Sequence, residues 1–283
     1  MVGVLISVIQ VGTIDYATGL GLQRRLVELR KEGRIGDVLL LLEHSPVITL
    51  GRNAKQKNIL ASREQLTQRA VEVFECDRGG DVTFHGPGQL VGYPIFDLRG
   101  FITHDGKPKT LGAVEYVRRL EDVLIRTCVE FGIATKRICG LTGVWTATDN
   151  TNSDVQVGQD GAEPRLRRSK DEAKIAAIGV HISRGITSHG FALNVSTDLS
   201  FFDLIIPCGI IAKPATSMAK ELTKSVPLQD VAYVVSRNFG LVFNSQMLWI
   251  ESLDALLGGP VGVPVRPPVE LRQLHEEEDT FWA

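Results

Sequence analysis

The sequence predicts an α/β fold. Short apolar runs with the period of strands alternate along it with longer segments in which apolar residues recur at the period of a helix. At 283 residues, 43% of them hydrophobic and 23% charged, the chain can bury a sizeable core, as one large α/β domain or two small ones. No internal repeat and no mid-chain linker divides it into two full domains.

Taken in order, residues 1–9 are apolar but lack a basic leading segment and a small-residue cleavage site, so they read as a first strand rather than a signal peptide. Leu22, Leu26 and Leu29 share one face of a helix from about Thr18 to Glu32. Residues 38–42 form an all-apolar run, the mark of a buried strand, and residues 47–50 follow as another. Gly51-Arg52-Asn53 then turns the chain into a basic loop that carries Lys55 and Lys57. Ser62-x-x-Gln65 is a capping box that opens a short helix ending near Ala70. Residues 71–75 alternate at strand period, and residues 90–96 read as an apolar strand. From Thr110, the residues Val114, Val117, Leu120, Leu124, Cys128 and Phe131 recur at helical spacing, and Gly132 supplies the stop. Cys128 lies on that helix's apolar face, where a thiol acts as a small hydrophobe.

A strand over 142–145 leads to a polar insertion at 148–171, which ends in the basic run Arg165-Leu166-Arg167-Arg168-Ser169-Lys170. Residues 174–182 and 188–195 read as two strands joined by a turn around Arg184-Gly185. Residues 201–206 lead into Pro207-Cys208-Gly209, and Val231, Val234, Val235 and Phe239 outline a last helix. Residues 1–245 are expected to form one folded domain. Residues 246–283, rich in proline and ending in Glu276-Glu277-Glu278-Asp279, have the composition of a disordered extension.

Composition excludes several classes. A formal charge of −2 lacks the basic excess expected of a nucleic-acid partner. Cys76, Cys128, Cys139 and Cys208 form no Cys-x-x-Cys pair, and six histidines show no metal-ligand spacing, so neither a zinc site nor a disulfide scaffold is expected. No segment sustains the run of apolar residues needed to span a bilayer. These readings point to a soluble protein of a reducing compartment, the cytoplasm, or the mitochondrion if the source is eukaryotic.

Two features carry chemistry. The stretch Arg78-Gly79-Gly80-Asp81-Val82-Thr83-Phe84-His85-Gly86-Pro87-Gly88-Gln89 interleaves glycines with charged and polar groups between two strands, where a scaffold places a ligand. Cys208 is held between Pro207 and Gly209 rather than on an apolar face. A thiol needs a base or a positive charge to act as a nucleophile, and His85, His189 and Lys174 are the candidates. Lys174 opens a nearly apolar strand, where partial desolvation would ease its proton exchange near neutrality. A Cys–Lys or Cys–His acyl-transfer site competes here with a buried Cys208 and a solvated Lys174.

The segment over residues 78–90 resembles the motif of the octanoyl-acyl-carrier-protein:protein N-octanoyltransferases, also called lipoyl(octanoyl) transferases. Thr142-Gly143-Val144-Trp145, the segment from Lys174 to Val180, the segment from Ile186 to Asn194, and Ile206-Pro207-Cys208-Gly209 resemble the family's other motifs, in the same order. The similarity runs from about Val4 to Phe243, and the insertion and tail fall outside it. The resemblance implies a single α/β domain whose mixed sheet is flanked by helices, similar to the biotin and lipoate protein ligases. It implies that Cys208 attacks the thioester of octanoyl-acyl carrier protein and that Lys174 lowers the pKa of Cys208 and shuttles protons. The octanoyl or lipoyl group then passes to a lysine on lipoyl domains of 2-oxoacid dehydrogenase E2 subunits or the glycine-cleavage H protein, with no cofactor and no metal.

Family substrate-binding segments fall on Arg78, Gly79, Gly80, Asp81, Val82, Thr83, Phe84 and His85, on Ala177, Ile178 and Gly179, and on Gly190, Phe191 and Ala192. Phe84, Ile178 and Phe191 are candidate walls of the acyl slot, and His85 ranks above His189 as a contributor. Arg52, Lys55 and Lys57 are candidates for a positive rim that steers acidic protein substrates. The competing expectation is an ATP-dependent lipoate- or biotin-protein ligase, although no Gly-x-x-x-x-Gly-Lys-Ser/Thr run is present.

Overall fold

A computed structural model describes residues 4–102, 108–148, 172–207 and 213–257. The chain opens with β1 (Val4–Ile14), α1 (Tyr16–Lys31) and β2 (Asp37–His44). Asp15 starts α1 by accepting from the Thr18 N–H and hydroxyl, both at 2.8 Å. A small unit follows: β3 (Val47–Leu50), α2 (Arg63–Gln68), β4 (Glu72–Glu75) and β5 (Val82–His85). The capping box at Ser62 and Gln65 forms as expected. Next come β6 (Gln89–Ile95), the short strands β7 (Phe101–Ile102) and β8 (Pro108–Lys109), α3 (Ala113–Glu130), β9 (Thr135–Ile138) and β10 (Leu141–Thr146). The described chain ends with β11 (Lys174–Ser183), β12 (Ile186–Asn194), α4 (Met218–Leu222), α5 (Leu228–Phe243), β13 (Ser245–Trp249) and α6 (Leu253–Leu257).

The expected mixed sheet is present. It has eight strands in the order β13-β1-β2-β6-β12-β11-β10-β9. β1 runs parallel to β13 and β2, and every other neighbouring pair is antiparallel. Side chains alternate across it. Val38, Leu40 and Leu42 of β2 pack with Leu22, Leu26 and Leu29 of α1 on one face. Leu39 and Leu41 join Leu120 and Leu124 of α3 and Val235 and Phe239 of α5 on the other. Burial on both faces is why β2 reads as an unbroken apolar run. Cys128 is fully buried in the α3–α5 layer, and burial pushes its thiol up to about 12.

A separate three-stranded sheet, β4-β3-β5, has its own core of Ile48, Val82, Phe84, Leu204 and Ile205. Its central strand β3 pairs in parallel with β4 and antiparallel with β5. The glycine-rich stretch is therefore not one loop, because residues 82–85 within it form a buried strand. β11 and β12 join at Arg184 and Gly185, which have φ of 52° and 83°, the positive angles of a two-residue hairpin turn. The boundary expected at 245/246 falls inside β13, whose pairing with β1 makes it the edge strand of the main sheet. The insertion, apart from its first residue, and residues 258–283 lie outside the described residues. Among the described residues no helix is long and apolar enough to cross a membrane.

Candidate active site

The site forms where the small sheet meets β11 and β12. Gly79 N–H donates to Val180 O at 3.0 Å, which lays the glycine loop directly on β11. The two backbones approach closely there, and a Cβ on Gly79 would stand 3.2 Å from Val180 O. A Cβ on Gly179 would stand 2.8 Å from Gly79 O. On its other side the loop holds the turn after β3, with Arg52 N–H donating to Arg78 O and Asn53 N–H to Gly80 O, both at 3.0 Å.

Arg78 holds this junction from inside. Its guanidinium donates to Thr49 O and Asp81 O at 2.7 Å, to Thr49 Oγ1 at 2.9 and 3.1 Å, and to Gly79 O at 3.0 Å. None of these acceptors is a carboxylate, so a buried positive charge is spread over carbonyls and a hydroxyl.

Two adjoining cavities lie beneath the loop. The first, about 420 Å³ including space open to solvent, is lined by Lys174, Trp145, Gln89, Asn194, Pro207 and Lys213, among others. The second, about 480 Å³ on the same measure, is lined by Tyr16, Arg78, His85, Tyr93, His189 and Phe191, among others. Thr83, Ala177 and Ala192 line both, so small side chains form the neck between them.

Lys174 is placed by backbone pairing on both sides. Its N–H donates to Pro214 O at 2.8 Å, and its O accepts from Thr216 N–H at 2.9 Å. These bonds bridge the start of β11 to Ala215. Its Nζ sits 4.7 Å from the centroid of the Trp145 ring. Two residues upstream, Glu172 pairs with Lys136 at 2.6 Å and with Lys213. Hydrogen bonds from these two lysines hold the Glu172 carboxyl down at about 2. Across the gap, Ile206 N–H donates to Asn58 O at 2.7 Å, tying the chain before Pro207 to the small sheet's side. Cys208 itself lies outside the described residues.

The neighbouring polar groups are oriented as a relay. Asn194 Nδ2 donates to Thr216 O, and Gln89 Nε2 donates to Asn194 Oδ1, both at 2.9 Å. Gln89 Nε2 also faces Phe84 O at 3.2 Å. Its amide orientation is therefore settled, and Oε1 must accept from His85 Nδ1 at 2.8 Å. His85 is held as the Nδ1–H tautomer, leaving Nε2 as an acceptor. Burial, with smaller contributions from His44 and Arg78, pushes His85 down to about 3, so it is neutral at physiological pH. His44 is pushed down to about 4 by burial and accepts from Tyr93 Oη at 2.6 Å. His189 has a φ of 55° and contacts the Asp77 carboxylate at 2.8 Å through Nε2. Burial lowers its pKa against the opposing pull of Asp77.

Of the expected substrate-binding residues, Arg78, Gly79, Gly80, Thr83 and His85 line the second cavity, as do Ala177, Ile178, Gly179, Gly190, Phe191 and Ala192. Three of the set point elsewhere. Strand alternation turns Val82 and Phe84 into the small sheet's core, where Phe84 stacks on Phe201 with centroids 4.7 Å apart. Phe84 is thus no wall of either cavity. Asp81 accepts from Asn58 Nδ2 at 2.6 Å and from Lys55 N–H at 3.2 Å, bracing the loop from outside. Arg52 reaches the ring of His181, which contacts the same Asp77, while Lys55 and Lys57 are exposed on the adjoining loop. Sequence reasoning passed over Gln89, Asn194 and Trp145 as site residues. For the two amides the available signal was their place beside an apolar run, Gln89 before Leu90-Val91 and Asn194 after Phe191-Ala192-Leu193.

Residues 15–240 match the family model of the lipoyl protein ligase A/B catalytic domain. The octanoyltransferase of Koribacter versatilis is 59% identical over 274 residues, 97% of this chain and 98% of that protein. The chain belongs to the octanoyltransferase family. It is therefore a transferase enzyme. The octanoyltransferase of Acidobacterium capsulatum is 54% identical over 255 residues, 89% of this chain and 96% of its own. Among solved structures, a bipartite lipoate protein ligase from Thermoplasma acidophilum superposes with a TM-score of 0.60 at 14% identity, covering 89% of this chain and 87% of that one. Lipoate-protein ligase A bound with ATP gives 0.57 at 13% identity, covering 89% of each. At those identities the likeness shows a shared fold.

Proposed function

We propose that this enzyme transfers an octanoyl (or lipoyl) group from acyl carrier protein to the ε-amine of a lysine on lipoyl domains, through a thioester on Cys208. One observation carries the reading. Lys174 lines a cavity that is also lined by Pro207 and Lys213, the described residues on either side of 208–212, and this cavity adjoins a second one at a neck of small residues. The family membership supports the acyl group, and the acceptors that the motif resemblance implies are lipoyl domains of 2-oxoacid dehydrogenase E2 subunits or the glycine-cleavage H protein.

In the first half-reaction the Cys208 thiol gives its proton to Lys174, and Sγ attacks the thioester carbonyl. Collapse of the tetrahedral adduct expels the carrier's thiolate, which takes the proton back from the Lys174 ammonium. In the second, the acceptor lysine's amine attacks the Cys208 thioester and gives a proton to Lys174. The amide forms, and the Cys208 thiolate that leaves is reprotonated by Lys174. The acyl chain runs from the Lys174 cavity past Thr83, Ala177 and Ala192 into the second cavity. Of the backbone N–H groups near Gly79, Gly80 and Gly179 that are candidates for stabilising the oxyanion, that of Gly79 is already given to Val180 O; a free donor there would contribute about 2.7–4 kcal/mol. His85, neutral and fixed in tautomer, lines the acyl cavity as an acceptor rather than a base. Neither step needs a metal or cofactor, and both protein substrates are expected in the cytoplasm.

The test is the intact mass of the protein after mixing with octanoyl-acyl carrier protein in the absence of ATP. A hydroxylamine-labile octanoyl adduct, missing in Cys208→Ser, is the expected result. Absence of the adduct, with activity appearing only when free octanoate and ATP are supplied, would replace this reading with an adenylating ligase of the same fold.

A further inference from the structure

Lys174 is asked to carry a proton, and its ammonium rests against an aromatic face. Besides Lys174 Nζ at 4.7 Å, Lys213 Nζ lies 5.7 Å from the centroid of the same Trp145 ring. Trp145 is 1% exposed, and its Nε1–H is buried and meets no acceptor among the described residues. Toward those residues the indole presents its face rather than a hydrogen bond.

The local backbone is built to present that face. Gly143 has a φ of 118°, and its N–H donates to the buried Glu121 carboxylate at 3.2 Å. A Cβ at Gly143 would stand 2.6 Å from Ala176 O and 3.6 Å from Lys174 Cε. The pairing of β10 with β11 shifts register between Val144 and Trp145, where Trp145 comes opposite Lys174. The glycine thus makes the irregularity that sets tryptophan against lysine. Lys213 is met from another side by Glu172, which also takes Lys136.

We propose that Trp145 is a positioning residue for Lys174, its indole face holding the ε-ammonium at the cavity wall, with Lys213 as a second cation on the same ring that opposes it. The proposal rests on the reading above that Lys174 shuttles protons. The two neighbours act with opposite sign. The ring's electron-rich face favours the charged lysine, and a nearby cation disfavours it. Removing the ring lets Lys174 release its proton at lower pH. Removing Lys213 makes it hold the proton to higher pH.

The experiment is the pH dependence of kcat/KM for octanoyl transfer by the full chain from octanoyl-acyl carrier protein to a lipoyl domain. The limb that belongs to Lys174 is the one abolished by Lys174→Arg, since a guanidinium does not titrate in this range. Trp145→Leu is expected to move that limb down by about one pH unit, a roughly tenfold change in the proton equilibrium, and Trp145→Phe to retain most of it. Lys213→Met is expected to move it up. A fall in rate for Trp145→Leu with the limb unmoved, or shifts of the same sign in both variants, would overturn the proposal. Trp145 is a core residue, so if the leucine variant does not fold, Lys213→Met decides alone, and a limb that fails to rise refutes the idea. A limb unchanged by Lys174→Arg would instead strike at the role of Lys174 itself, and the proposal would go with it.

Discussion

Gly179→Ala tests whether the glycine loop owes its position to direct seating on β11. A methyl group there would meet Gly79 O at 2.8 Å, Arg78 Cδ at 3.3 Å and Arg78 Nη1 at 3.7 Å. Carbon–oxygen contacts settle near 3.3–3.6 Å, so the loop must lift by roughly 0.5 Å or more. The nearest atom is backbone, already engaged through the 3.0 Å bond from Gly79 N–H to Val180 O, and Arg78 is tied to five acceptor contacts behind it. Overpacking of this kind costs about 1–3 kcal/mol. For a chain of this size that lowers Tm by roughly 2–5 °C. The same displacement moves the wall of the acyl cavity, so KM for the acyl donor should rise in step. Thermal melts and steady-state kinetics measure both, with Gly100→Ala as the control because nothing lies within 4 Å of its added methyl. If Gly179→Ala melts within about 1 °C of the control and keeps its KM, the loop is not held by this contact and the reasoning fails.

Two further outcomes follow from the buried polar groups. Gln89→Leu strips acceptors or donors from His85 Nδ1, Asn194 Oδ1 and Phe84 O at once. Each buried group left unpaired costs about 1–3 kcal/mol, so chemical denaturation should show a loss of roughly 2–5 kcal/mol, and a loss under about 0.5 would mean that water replaces the relay. The second concerns acid. His44 and His85 are pushed by burial from an ordinary 6.5 to about 4 and about 3. The unfolded chain therefore takes up protons first, and stability should fall as pH drops from about 6.5 towards 4, by at most ~1.4 kcal/mol per pH unit for each group. Asp77 adds to this below about pH 4, the ordinary carboxylate range. Burial would raise its carboxyl, but hydrogen bonds from His189 and His181 hold it at about 2, so its contribution is present above that range and lost through it. A denaturation midpoint that stays level between pH 6.5 and 4.5 would contradict the assignment of neutral buried histidines.

Much of the fold could be read directly. The leucines of α1, the run in β2, the capping box at Ser62 and the hairpin at Arg184-Gly185 each follow from interactions among residues near in sequence. Other elements were not legible because their stability is not local. β5 sits inside a stretch so rich in glycine that its four residues register as loop, and only pairing with β3 makes them a strand. β13 follows a helix with no turn signal beyond Asn244 and exists because β1 offers it an open edge.

The site divides in the same way. Sequence by itself determined the residue types: a cysteine between proline and glycine, a lysine at the head of an apolar strand, and glycines where two backbones touch. Tertiary structure alone decided which of them meet. Strand alternation sent Phe84 into a separate core and Thr83 to the neck of the cavities, a choice that depends on which face of β5 the main sheet covers. Arg78 became the internal brace of the loop because five acceptor contacts, from Thr49, Gly79 and Asp81, converge on it. Trp145 came to lie under Lys174 through a register shift between Val144 and Trp145, a contact between residues 29 positions apart in the numbering that no local pattern announces. The reason is common to all three. Short-range propensity sets what a segment can form, whereas side-chain neighbours are set by strand register and by which surface each face must cover.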